Sequence, residues 1–533
     1  MKGSGARPIG DRAALRPRGR PGAPARLARV SLASAPAAPD RVLPVSVRVP
    51  EASAAGPLRE ALSRHNYNQG GVRVALGGPS ESSPGDAPVH ARRLGDDDQA
   101  MLVRLFLLGL EVETARAERA LAPAGVATLA QAGFLEVDDG QVRATIRITP
   151  FEGVLLAHDP ESIDEPDADV VTGLNSAART LASLTPRPEV ATALDLGTGS
   201  GIQALLLAHH SGHVIATDVN ERALAYTKLG AALSGLDNVE CRAGSFFDPV
   251  EGDRFELIAS NPPYVISPET QFVYRDGGLE RDEVSRLALQ GAAEHLVEGG
   301  LAMVLCNWVL DPIEPWDAPL RGWLADAGCD ALMLHHVTED TLEYAEKWNT
   351  HLRRRPDEHG AALDRWLAAY AQAGIHSLGT GGIALRKRAG EPRFSTAEMA
   401  TGPTGRAGAH VLRLLAAADL LAERGDDELL ATPLAVAPNH RVVRERRRIE
   451  GGYAPETVRM ILEDNAGLHA EFGPAVAALL VGLDGSRTSA DLLPVLGRAL
   501  PGSEDEVRDA VLGALRTLLG LGLVEAPPSV MPS

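Results

Sequence analysis

The segment Leu194-Asp195-Leu196-Gly197-Thr198-Gly199-Ser200-Gly201-Ile202-Gln203 constrains the fold more than any other part of the chain. An apolar run ends in an acid, passes through three glycines at alternate positions, and continues into apolar residues at helical spacing. That order reads as strand, tight turn, helix. Glycine adopts positive φ without strain and lets a ligand lie against bare backbone. The helix beyond it offers unpaired N–H groups at its amino end. Alternating strands and helices continue over 170–388, with strands read at 192–196, 213–218, 239–243, 255–260, 300–306, 331–337 and 375–388. Such alternation specifies a doubly wound α/β sheet. The long gap between the sixth and seventh strands holds two expected helices, 338–355 and 358–374. An insertion there would lie over the carboxyl edge of the sheet, where ligands bind in such folds.

The glycine spacing is GxGxG, whereas dinucleotide sites use GxGxxG. Asp195, inside the strand end, would approach a pyrophosphate unfavourably. It suits a ligand with a cationic end, such as the amino group and sulfonium of S-adenosylmethionine. Asp218 closes the next strand, about 20 residues on, where a carboxylate can accept both ribose hydroxyls. Phe246, after the third strand, is placed to pack on an adenine face, and Ser245 stands beside it. The candidate cofactor residues are Thr172, Asp195, Gly197, Thr198, Gly199, Gly201, Asp218, Val219, Ser245, Phe246 and Asn261.

The fourth strand runs into Ser260-Asn261-Pro262-Pro263-Tyr264. An amide or exocyclic amine nitrogen is a poor nucleophile because its lone pair is conjugated. The Asn261 carboxamide oxygen and the Pro262 carbonyl can accept its N–H hydrogens, aim the lone pair and stabilise the charge that develops. The prolines remove competing donors and fix the backbone angles. The Tyr264 ring offers a flat face for a planar amide or base. Asn261, Pro262, Pro263 and Tyr264 are therefore the candidate catalytic residues.

With both motifs in place, 170–310 resembles the class I S-adenosylmethionine-dependent methyltransferases of the NPPY group. That group includes release-factor glutamine methyltransferases and RNA and DNA amine methyltransferases. The resemblance implies that Asp195, Gly197, Gly199 and Asp218 bind the cofactor and that Asn261, Pro262 and Tyr264 hold the target nitrogen. It also implies that Val171-Thr172-Gly173-Leu174-Asn175-Ser176 covers the methionine end of the cofactor. The first expectation for the substrate is the exocyclic amine of a nucleobase in RNA. The alternative is a glutamine or other amide nitrogen in a protein or peptide.

The expected fold class is α/β, a Rossmann-like seven-stranded methyltransferase domain between two small α+β winged-helix-like domains. The expected layout is a disordered Arg/Pro/Ala-rich tail over 1–45, then a helical, winged module over 46–165. The methyltransferase domain spans 166–390 with its helical insertion at 338–374, followed by a linker over 391–410 and a winged-helix-like module over 411–533. Asp96-Asp97-Asp98 reads as helix capping, and Asp484-Gly485-Ser486-Arg487-Thr488 as a turn between helices. That last module also resembles small winged helices that bind peptides. One of His335 and His336 is expected to face the core. Tyr344, Trp348 and Trp366 read as core packing before base stacking.

The net charge of −19 gives the whole chain no long-range attraction for nucleic acid, although local basic patches could supply contacts. Arg353-Arg354-Arg355 form one such patch; Arg441, Arg444, Arg446, Arg447 and Arg448 form a second, read as a solvated helix face. Cys241, Cys306 and Cys329 show no CxxC pairing, which excludes a disulfide framework and a conventional zinc site; no metal role is expected. The sequence lacks a bilayer-length apolar run and a secretory start, so a cytoplasmic location is expected.

Overall fold

The computed structural model describes residues 48–78, 86–160, 169–269, 275, 280–453, 456–500 and 502–527. The tail over 1–45 lies outside the described residues, as does most of the loop read over 79–87. Among the described residues the central sheet has eight strands: β1 (Val190–Leu196), β2 (Ser211–Asp218), β3 (Val239–Ala243), β4 (Phe255–Ser260), β5 (Leu296–Leu310), β6 (Cys329–Asp340), β7 (Ser377–Lys387) and β8 (Phe394–Glu398). Their order is β8-β6-β7-β5-β4-β1-β2-β3. Neighbours from β5 through β3 pair in parallel, and β7 lies antiparallel between β5 and β6. Helices α1 (Ser176–Leu184), α2 (Ile202–Leu207), α3 (Glu221–Ser234), α4 (Glu283–His295), α5 (Ala318–Leu324), α6 (Thr341–Trp348) and α7 (Pro356–Ala373) accompany it. The inner strands are apolar on both faces because helices cover both; Leu257, Ile258 and Ala259 of β4 are all buried.

Two expectations for this domain are corrected. The sheet has an eighth strand, β8, inside the stretch read as linker; it pairs in parallel with β6, from Ala331 opposite Phe394 to His335 opposite Glu398. The first inserted helix also starts later than 338. Strand β6 runs on to Asp340, whose carboxylate accepts the Leu342 and Glu343 N–H groups at 2.8 Å each, so α6 begins at Thr341. His336 is exposed, whereas half-buried His335 stacks on Trp316 at 4.7 Å and lies 6.0 Å from the ring of buried Trp308.

Before the sheet, the helix Asp98–Leu102 passes through a π-helical turn, Val103–Leu107, to the short strand Val112–Glu113. Asp97 accepts the Ala100 N–H at 2.8 Å, the capping role expected of it. Helices Thr114–Ala120 and Val126–Gln131 then lead to the hairpin of Leu135–Asp138 and Gln141–Ala144, whose second strand pairs with Val112–Glu113. Helix, strand, two helices and hairpin in that order make a winged-helix arrangement. A second hairpin, Arg147–Phe151 with Val154–His158, carries the chain to the sheet.

After the sheet, helix Gly408–Glu423 leads to the strand Pro433–Val436, which sits between Asp484–Thr488 and Val524–Glu525. Asp484–Thr488, read as a turn, is thus a strand, because Pro433 and Ala435 offer it an antiparallel partner. Of the second arginine cluster, Arg441, Arg444 and Arg448 lie on strands rather than a helix, and Arg446 and Arg447 lie between those strands. His440–Glu445 pairs with Thr457–Leu462, and Arg448–Ile449 with Gly452–Tyr453, as the β-branched pair Val442-Val443 favours.

Asp159 joins the second hairpin to α3. It is buried and accepts from both Arg222 nitrogens facing it, from the Tyr226 hydroxyl and from the Val171 N–H. Removing one partner of a buried pair leaves the other charge uncompensated. Asp159→Ala is therefore expected to lower stability by about 3 kcal/mol, measured as a shift in denaturant midpoint. A shift below about 1 kcal/mol would show that Arg222 finds solvent instead.

Candidate active site

The site is assembled at the carboxyl ends of four adjacent strands, in the order β4-β1-β2-β3. At the end of β1 the chain closes its glycine turn on β2: the Gly197 and Thr198 N–H groups both donate to the Thr217 carbonyl, at 2.9 and 2.8 Å. Gly197, Gly199 and Gly201 have φ of 74°, 56° and 86°, so each uses the conformation that favours glycine. Their reasons differ. A Cβ on Gly201 would sit 2.9 Å from the Thr227 Oγ1, so this glycine lets α2 pack on α3. A Cβ on Gly197 or Gly199 would meet open space. Those two leave bare backbone facing outward, which is the surface a cofactor needs to approach the loop.

Asp195 is 1% exposed and points into the turn. Its Oδ2 accepts from the Thr198 hydroxyl at 2.7 Å and from the Ala204 N–H at 2.9 Å. The visible work of this carboxylate is to hold the loop onto the start of α2. Burial pushes it up to about 7, against the opposing pull of those two donors. Asp218 accepts from the Gly199 N–H and the Asn220 N–H, both at 2.9 Å, and burial raises its pKa too. Val219, next along, is 55% exposed at the rim, an apolar surface suited to a flat aromatic face. The Gly244 N–H donates to the Asp218 carbonyl at 3.0 Å, which brings the turn carrying Ser245 and half-buried Phe246 beside the end of β2.

Thr172 lies in a segment that the fold pins from both sides. The Asp159 and Val171 backbones pair at 3.1 Å, and Gly173 packs so closely on the His158 ring that a Cβ would come within 2.5 Å of it. Asn220 donates to the Asp169 carbonyl at 3.0 Å, tying the same segment to the loop after β2.

Strand β4 places the second motif beside the first. Ser260 is opposite Leu196 in the parallel register, and its buried hydroxyl donates to the Leu196 carbonyl at 3.0 Å. Asn261 and Pro263 are half-buried, and Pro262 is buried. The Tyr264 N–H donates to the Pro262 carbonyl at 2.7 Å, closing a tight turn through the two prolines. That carbonyl keeps a second lone pair for a further donor. Burial raises the pKa of Tyr264, so its hydroxyl stays neutral at any physiological pH. Sequence reading missed Ser260, Thr227 and Asp159, whose roles rest on contacts with distant elements. Of the arginines, Arg441, Arg447 and Arg448 are exposed and have no ion-pair partner among the described residues, whereas Arg444 and Arg446 face Glu456 at 3.6 and 3.4 Å.

Residues 170–312 match the family model described as the methyltransferase small domain, and 64–145 match a domain of unknown function, DUF7059. Residues 170–312, which carry the glycine turn and the Asn261-Pro262 loop, thus match a methyltransferase domain at the centre of the chain. Its relatives include the release factor glutamine methyltransferase of Xylella fastidiosa, 33% identical over 126 residues, or 21% of this chain and 46% of that protein. The ribosomal protein uL3 glutamine methyltransferase of Bradyrhizobium diazoefficiens is 38% identical over 122 residues, 20% of this chain and 38% of that protein. The chain thus spans less than half the length of either relative. A solved rRNA methylase from Streptococcus thermophilus aligns with 41% of this chain and 99% of its own at 14% identity and a TM-score of 0.24, too distant to bear on substrate. Among the described residues no helix is long and apolar enough to cross a membrane.

A carboxyl group raised by burial is favoured protonated in the fold, so its contribution to stability declines as pH rises from about 4 to about 7. A cofactor with a cationic end favours the ionised form instead. Cofactor affinity is therefore expected to rise roughly tenfold from pH 6 to pH 8 by titration calorimetry, and Asp195→Asn is expected to abolish that slope. A flat wild-type profile would uncouple Asp195 from cofactor binding.

Proposed function

We propose that this chain transfers a methyl group from S-adenosylmethionine to the side-chain amide nitrogen of a glutamine in a protein substrate. The observation that carries the reading is the register of β1 against β4, which sets the glycine turn and Asn261-Pro262 side by side at one sheet edge. The residues fit the cofactor: Gly197 and Gly199 leave the loop bare, Asp218 and Val219 stand at the end of β2, and Phe246 stands at the end of β3. When bound, the cofactor supplies an electrophilic methyl group. The protein contributes orientation. The Asn261 carboxamide oxygen and the free lone pair of the Pro262 carbonyl accept the two amide hydrogens, and the Tyr264 ring bears on the amide plane. As the N–C bond formed and the methyl–sulfur bond broke, releasing the neutral thioether S-adenosylhomocysteine, the positive charge would pass to the nitrogen, where both oxygens would stabilise it. One amide hydrogen then leaves as a proton. The named relatives, both glutamine methyltransferases, support an amide over a nucleobase.

A test uses the host release factors and ribosomal protein uL3 as probes with labelled cofactor. Wild-type protein is expected to label one of them. Asn261→Ala is expected to keep cofactor affinity within about twofold and to lose about 10²- to 10³-fold in rate. Undiminished turnover would remove Asn261 from the chemistry.

The second reading, an exocyclic amine of a base in RNA, is favoured by one observation. Arg448 stands on a short strand opposite Tyr453, which is 63% exposed, with Arg447 just before it, and neither arginine has an ion-pair partner among the described residues. Such a surface suits phosphates and a stacked base. Replacing Arg446, Arg447 and Arg448 with alanine is then expected to weaken RNA binding and to make its salt dependence shallower by about 2 to 3 in log–log slope. Unaltered binding would leave these arginines as a solvated surface.

A further inference from the structure

Among the described residues, few backbone hydrogen bonds hold the loop after the second motif. Pro262 and Pro263 have no N–H to give, and among the described residues the only backbone bond inside 261–269 is the one from Tyr264 to Pro262. One of its fixed points is Ile266, two residues beyond Tyr264. The Ile266 N–H donates to the Tyr344 hydroxyl at 3.1 Å, and the Ile266 carbonyl accepts from the Tyr370 hydroxyl at 2.7 Å. Tyr344 belongs to α6 and Tyr370 to α7, the two helices inserted between β6 and β7. On its far side the Tyr344 hydroxyl meets the Asn307 carboxamide, buried on β5. A buried chain of polar contacts thus runs from β5, through the insertion, to the catalytic loop. Val265, Ile266, Tyr344, Trp366 and Tyr370 form one apolar cluster around it, with Tyr264 packed on its edge.

We propose that Tyr344 and Tyr370 are positioning residues that hold Ile266 so that Asn261, Pro262 and Tyr264 keep the geometry the target nitrogen requires. Phenylalanine at either position would fill the same space, so packing alone leaves the hydroxyls without a purpose. Packing also does not explain why two hydroxyls from two helices satisfy the donor and the acceptor of one residue. These two bonds fix the backbone two residues beyond Tyr264, and a displacement near 1 Å at a reacting group costs about 10²-fold in rate. The inference rests on the amide-transfer reading for its consequence but not for the clamp itself.

The test compares wild type with Tyr344→Phe and Tyr370→Phe in the full chain, with Asn261→Ala as reference. Hydrogen exchange of the peptide spanning 258–268 reads the clamp without any substrate. It is expected to quicken at least tenfold in Tyr344→Phe, which removes the acceptor for the Ile266 N–H. Single-turnover labelling of protein from cells lacking the gene reads the consequence. Both variants are expected to fall 10- to 100-fold in rate with cofactor affinity unchanged, a split that general destabilisation would not give. Unaltered exchange overturns the clamp. Quickened exchange with an undiminished rate, while Asn261→Ala is inactive, reduces the hydroxyls to core satisfaction and overturns the positioning role. Should Asn261→Ala match wild type, or wild type transfer no label, the amide-transfer reading fails, and the exchange result alone still decides the clamp.

Discussion

The pairing of β1 with β4 governs the site. Ser260 lies opposite Leu196, and its hydroxyl donates to the Leu196 carbonyl. Each strand then leaves the sheet into a segment rich in residues that restrict or release backbone angles: glycines after β1, prolines after β4. A parallel register fixes where these two segments start relative to each other. Slipping one strand by one residue would turn every side chain to the opposite face. Core residues on both sides of the sheet, such as Leu194 and Ile258 on one and Ala193 and Leu257 on the other, resist such a slip. The chemistry at the sheet edge therefore inherits its precision from apolar packing beneath it.

The flanking modules share that packing. Tyr226, Leu229 and Leu233 of α3 belong to the same apolar cluster as the amino-terminal helices. Val411, Leu414 and Leu415 of the helix after β8 belong to a cluster with the sheet. Charged groups join the same surfaces: Arg386 of β7 contacts both Asp330 of β6 and Asp419 of that helix at 2.7 Å, and Arg393 reaches Asp419 at 2.8 Å. Residues 48–533 accordingly form one compact unit. The modules brace the helices behind the cofactor end and the sheet edge behind β6. The insertion braces the catalytic loop in front. Substrate recognition has to be built onto a frame that these contacts already hold.

Sequence made the local motifs legible because their signals are local. Three alternate glycines at positive φ and an Asn-Pro-Pro-Tyr at a strand end each announce a backbone requirement within a few residues. Strand positions followed from apolar runs, and the capping role of Asp97 followed from its place before a helix. The eighth strand escaped because Phe394–Glu398 has a weak pattern and gains its structure from an available edge of β6. Asp484–Thr488 escaped likewise, since Asp, Gly and Ser favour turns until a distant strand pairs with them. Tyr344 and Tyr370 are buried, and periodicity suggests core packing for Tyr344 without revealing that both hydroxyls meet one backbone residue some 80 to 100 positions away. The inward turn of Asp195 was equally hidden, for the same carboxylate at a strand end can face a ligand or its own loop.

The most direct measurement identifies the methylated atom. Purified protein would receive cofactor labelled in its methyl group together with lysate from cells lacking the gene, and the products would be divided between nuclease and protease treatment. Transfer to a glutamine amide predicts label that survives nuclease, is lost with protease, and is released as methylamine on acid hydrolysis. Label lost with nuclease and retained through protease would contradict the account and assign the site to a nucleobase amine.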